Sequence, residues 1–157
     1  MKSKIIKLLA TSFGLGNAPV APGTFGSLPG LLIAWYLSAQ SQIIFWVVAT
    51  VIAITAIVVS QMAEEVYASK DAQTIVIDEV AGQVLTFFLV PALTWPLILV
   101  GFIAFRFFDV VKLPPANWAQ DKLPGGWGVA GDDLIAGLQA GVVLYLVQLY
   151  VFPYFGW

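Results

Sequence analysis

From Leu8 to Ala63 the chain carries no charged side chain. A water-soluble domain needs charge on its surface, typically about 25% of its residues. Here only 10% are charged, 60% are hydrophobic, and the mean hydropathy is +0.91. That balance fits a chain whose main solvent is lipid, in which helices satisfy their own backbone groups. With 157 residues the sequence suits a single domain, residues 1–157.

The charges fall in three places: the N-terminus, residues 64–79 and residues 106–133. Between them lie apolar runs at Leu31–Leu37, Ile43–Val59, Val80–Phe105 and Leu134–Phe152. The second has 17 residues and the last 19, near the roughly 20 that a spanning helix requires. "SAQSQ" separates the first two runs, and "PALTWP" interrupts the third with Pro91 and Pro96, which end or kink helices. Residues 28–59 and 80–105 therefore form either single spans or helical hairpins. The hairpin arrangement is favoured, because it brings every charged segment to one face. The expected fold is all-α: a multi-pass or re-entrant helical membrane protein with hairpins and a polar face at the membrane interface. "MKSKIIKLLATSFG" reads as a short interfacial helix whose Lys2, Lys4 and Lys7 face anionic headgroups, or else as a frayed polar terminus.

Cysteine and histidine are absent, which excludes disulfides, thiolate nucleophiles, imidazole bases and the usual zinc sites. A net charge of −2 gives no reason to expect nucleic acid as a partner. Chemistry is left to carboxylates, hydroxyls, Lys, Arg, backbone groups or a hard metal ion.

Five acids stand at the lips of apolar segments: Asp78 and Glu79, Asp109, and Asp132 and Asp133. Each has an ordinary structural explanation. Asp78 can cap a helix starting near Val80, and Asp132, after Gly131, can cap the last helix. Arg106, Asp109 and Lys112 can pair along one helix face. One carboxylate caps a helix, however, and a second beside it repels the first. Ionisable groups at membrane depth are costly and mark function by default. Clustered carboxylates are relieved by Mg²⁺, which takes oxygen ligands and leaves positions for water and phosphate. Acidic rings in cation channels are a competing source of the same pattern.

"APVAPGTFGSLPG" offers Gly23, Gly26 and Gly30 for close approach and Thr24 and Ser27 as hydroxyls, next to a helix start that would favour an anion. It is not a Walker loop, so no nucleotide is expected; the plainer reading is a turn that lets two helices pack. "DKLPGGWGVAGDD" reads as a flexible glycine loop before the acidic pair.

"NAPVAPGTFGSLPG", "TIVIDEVAGQ", "FRFFDVVK" and "PGGWGVAGDDLIAG" stand in the order and spacing of the phosphatidylglycerophosphatase A family, which roughly residues 12–145 resemble. The resemblance implies a Mg²⁺-dependent enzyme of the bacterial inner membrane, multi-pass, with its site facing the cytoplasm and the polar face therefore at the cytoplasmic interface. It implies removal of the terminal phosphate of phosphatidylglycerophosphate. Its motifs fall on Asp78, Glu79, Asp109, Asp132 and Asp133 as metal ligands, with Asp78, Asp109 and Asp133 the catalytic set. Thr24, Gly26 and Ser27 fall in the loop, and Arg106 and Lys112 are the cations expected at phosphate. Two alternatives stand beside this one: a phosphatase of another phospholipid monoester such as phosphatidic acid, and a non-enzymatic cation-binding membrane protein. The sequence departs from the family in placing Leu113 between Lys112 and Pro114.

Overall fold

The computed structural model describes residues 2–69, 72–90 and 92–155, which are helical throughout their regular structure, with no strand among them. Seven α-helices follow in order: α1 (Lys2–Ala10), α2 (Pro22–Ser38), α3 (Gln42–Tyr67), α4 (Ile77–Leu85), α5 (Trp95–Val111), α6 (Ala116–Lys122) and α7 (Gly126–Tyr150). Short 3₁₀ turns occupy Leu15–Asn17 and Phe152–Phe155. Lys70 and Pro91 lie outside the described residues.

Helices α3 and α7 have 26 and 25 residues. At 1.5 Å per residue they reach about 39 and 37 Å, more than the roughly 30 Å of a hydrocarbon core. Each is long and apolar enough to cross a membrane. Ile43, Val47, Val51, Ile54 and Val58 form an exposed stripe along α3, an outward apolar face that water would penalise and lipid accepts. Both hairpins form: residues 39–41 join α2 to α3, and residues 86–94 separate α4 from α5.

Helix α4 is the unusual element. Nine residues give it roughly 13 Å, too little to span, yet it is enclosed by α2, α3 and α7. A helix ending at membrane depth leaves carbonyls without partners, and hydrocarbon offers none. The carbonyl of Phe88, just past its end, accepts from Gln42 Nε2 at 2.9 Å and from Trp46 Nε1 at 3.0 Å. Glycines let its neighbours approach: a Cβ at Gly137 would collide with the Gly82 carbonyl, and one at Gly30 with that of Val80. Beneath them Val84, Phe87, Leu97 and Leu144 make the apolar core.

The bundle thus has two unlike ends. At one, Trp35 and Trp95 meet edge to face with centroids 4.8 Å apart. At the other, α4 begins, α5 ends and the first turns of α7 run past them, so the charged segments converge as the hairpin reading requires.

Several local expectations are corrected. The Gly/Pro stretch is a loop only across residues 18–21, because Pro22 starts α2 and places Thr24, Gly26 and Ser27 inside it. "WGVAGDD" is helical as well. Glycines at the start of this helix serve packing: Cβ atoms at Gly126, just before the stretch, and at Gly128 would strike the carbonyls of Ile57 and Leu123. Asp132 is therefore no N-cap but lies well inside α7. Asp78 is no N-cap either, since α4 begins at Ile77 with Val76 in the capping position.

Candidate active site

A cavity of about 510 Å³ opens at the polar end. Asp78 and Glu79 enter it from the first turn of α4, Arg106 and Asp109 from the last turns of α5, and Asp132 and Asp133 from α7. Lys112 also lines it, as do Gly23 and Gln73. All five sequence-selected acids and both sequence-selected cations therefore meet.

The acids differ in how they are compensated. Arg106 Nη1 lies 2.6 Å from Asp109 Oδ2, one turn away on the same helix. Lys112 does not continue that face. It is the C-cap of α5, in the left-handed region at φ 50°, and its ammonium contacts Asp132 across the cavity. Burial alone would lower the Lys112 pKa, but the Asp132 contact outweighs it and holds it at about 12.

Among the described residues, no cation contacts the other three acids so closely. Asp78, Glu79 and Asp133 each present a carboxylate oxygen, and these atoms lie within 4.8 Å of one another. Asp78 and Asp133 are only 4% exposed, and Glu79 Oε2 is buried without a hydrogen-bond partner. Burial, followed by the charge of Asp133, pushes the Glu79 pKa up to about 8. Burial and neighbouring Glu79 likewise raise Asp78 well above the usual carboxylate range, although its Oδ1 accepts from the Glu79 backbone N–H at 3.0 Å. Three hard oxygens at this spacing, all short of positive charge, fit a small divalent cation of the Mg²⁺ type.

The loop residues behave differently. Ser27 is fully buried and its hydroxyl donates to the carbonyls of Gly23 and Thr24, at 3.1 and 3.0 Å. Gly26 lies against Val76, and none of Thr24, Gly26 and Ser27 lines the cavity. Gly23 does. A Cβ there would collide with Glu79 Oε1 and stand 3.2 Å from Arg106 Nη1. The sequence signal for Gly23 was present in "PGTFG", but no pattern along the chain said which glycine faces the acids.

A helical bundle of lipid-spanning length, with carboxylates from three helices around one polar cavity, defines a membrane-type protein with a cation-competent acidic centre. The sequence profile of phosphatidylglycerophosphatase A matches residues 8–148. Phosphatidylglycerophosphatase A of Haemophilus influenzae is 33% identical over 147 residues, covering 93% of this chain and 90% of the relative. That of Escherichia coli is 34% identical over 142 residues, covering 89% and 81%. A Bacteroides thetaiotaomicron protein named as a candidate phosphatidylinositol-3-phosphatase is 29% identical over 148 residues, covering 90% and 92%. No solved structure matches. The chain belongs to the phosphatidylglycerophosphatase A family and is an enzyme of the phosphatase class.

Proposed function

We propose that this protein hydrolyses phosphatidylglycerophosphate to phosphatidylglycerol and inorganic phosphate, with Mg²⁺ as cofactor, at the cytoplasmic headgroup layer of a bacterial inner membrane. The observation carrying this reading is the three-carboxylate cluster of Asp78, Glu79 and Asp133 at the polar end of an otherwise lipid-compatible bundle. The names of the relatives supply the substrate.

In this reading Asp78, Glu79 and Asp133 would hold the metal, which when bound would supply positive charge to offset the phosphate and the transition state. Arg106 and Lys112, with side chains 20% and 26% exposed, stand where a phosphate oxygen can reach them. The guanidinium suits two oxygens at once. Engaging substrate loosens their hold on Asp109 and Asp132, leaving Asp109 to accept the proton of an attacking water. As the water oxygen bonds to phosphorus, the bond from phosphorus to the lipid oxygen breaks, Asp109 passes its proton to that oxygen, and phosphate is released. The acyl chains stay in the bilayer, so the cavity has only a headgroup to admit.

Phosphate release from phosphatidylglycerophosphate in detergent micelles tests this: activity with Mg²⁺, none with EDTA, and recovery when Mg²⁺ is restored. Activity undiminished by EDTA contradicts the metal assignment. The Bacteroides relative favours a second reading, a phosphatase of other phospholipid monoesters. Competition with phosphatidic acid and phosphatidylinositol 3-phosphate separates the two, since a specific enzyme is inhibited weakly by both.

A further inference from the structure

A second cavity, about 440 Å³, lies away from the acidic one, between α1, the turn that follows it and the end of α3. Its lining is Lys4, Lys7, Leu8, Thr11, Gly14, Asn17 and Tyr67. Among the described residues it contains two ammonium groups and no carboxylate, whereas the catalytic cavity sets five carboxylates against two cations. Neither lysine forms an ion pair among the described residues, whose two pairs are Arg106–Asp109 and Lys112–Asp132. Lys7 Nζ instead rests 4.8 Å from the centre of the Tyr67 ring, which holds the ammonium at the cavity wall while leaving N–H donors for an anion.

The surrounding surface indicates where that anion comes from. Ile6 and Ala10 fix α1 against α3, while Ile5, Leu8, Leu9 and Phe13 are exposed, Phe13 at 77%. An exposed apolar face beside lysines is the pattern of a helix lying in the membrane interface, with its ammonium groups at headgroup level. We propose that this cavity binds the phosphodiester headgroup of an anionic glycerophospholipid, as a site separate from the catalytic one.

The site is wired to the acids. The Val76 N–H donates to the Ala10 carbonyl at 2.8 Å, and Val76 is the N-cap of α4, two residues before Asp78. Gly16, in the same turn, packs against Thr74 and Val76 closely enough that a Cβ would clash. A headgroup that steadies α1 therefore steadies the start of α4.

The test uses the full chain in nanodiscs of phosphatidylcholine doped with phosphatidylglycerol. Lipid retained per protein is counted by native mass spectrometry, and phosphatase activity is read in parallel. The wild type should retain phosphatidylglycerol over phosphatidylcholine, and K4Q/K7Q should weaken that retention about 30-fold, two surface lysines' worth. Tyr67→Leu, which keeps the charge, should weaken it several-fold by releasing Lys7. Lys2→Gln, on the same helix but outside the cavity, should leave it unchanged. Equal retention by K4Q/K7Q and wild type overturns the proposal, as does a Lys2→Gln loss matching the double variant, which means diffuse surface charge. Displacement of the lipid by inorganic phosphate at matching concentration overturns the lipid assignment in favour of a free-phosphate site. Retention is read without turnover, so failure of the catalytic reading leaves this result intact.

Discussion

The two ends of α4 receive opposite treatment. At its C-terminal side the Phe88 carbonyl, just past the helix end, is met by two side-chain donors from α3. At its N-terminal side Asp78 and Glu79 are buried against a further carboxylate with too little positive charge nearby, and Glu79 Oε2 has no partner. One end resolves what folding requires, and the other retains an electrostatic problem. A buried uncompensated cluster is expensive, so it persists where a ligand completes it. The contrast marks the acidic end as the place where the proposed chemistry fits, without reference to any relative.

The largest expected effect at the acidic end comes from Asp133→Asn, which should lower turnover by more than about 1,000-fold. Its melting temperature in the absence of metal should not fall, since repulsion is relieved. Near-wild-type turnover would remove Asp133 from the centre. Gly23→Ala comes next: the added methyl displaces Glu79 and crowds Arg106, and roughly 100-fold of activity should be lost. Compared with Gly26→Ala, which meets Val76, it should lose more activity per degree of destabilisation; equal ratios would mean that both glycines serve packing alone.

The pH dependence has a defined sign. Glu79 is raised from 4.5 to about 8, so without metal its protonated form is favoured in the folded protein. Metal-free stability from this group is fully present below pH 4.5 and is lost as pH rises through about 8. Metal must displace that proton, so Mg²⁺ affinity should rise up to about tenfold per pH unit towards 8. Calorimetric titration across this range checks the slope, and a flat profile would contradict a role for Glu79. The smallest effect belongs to the other end. Trp46→Phe removes one of the two donors to Phe88 and should cost about 1 kcal/mol of stability while leaving turnover intact. A loss of activity there would show that the two ends are not separable.

Much of this was legible along the chain. The uncharged stretch from Leu8 to Ala63 announced a lipid-compatible helical fold, and the placement of acids at segment lips named every carboxylate in the cavity. Helix boundaries were less legible where glycine and proline cluster. "PGTFGS" and "WGVAGDD" look like loops because glycine is usually a turn residue, whereas here it lets helices touch. Pairing was also hidden: the spacing of Arg106, Asp109 and Lys112 suggested one helix face, but α5 ends at Val111 and the turn sends Lys112 to Asp132. Which three of the five acids lack a close cation among the described residues depends on such tertiary contacts, and no linear pattern encodes it.

The central claim is that acids distant in sequence converge to grip one kind of ion, and anomalous scattering from crystals grown with Mn²⁺ tests it most directly. The account predicts a peak among Asp78, Glu79 and Asp133 that disappears in Asp133→Asn crystals. A peak elsewhere on the molecule, or one that survives that substitution, would contradict it.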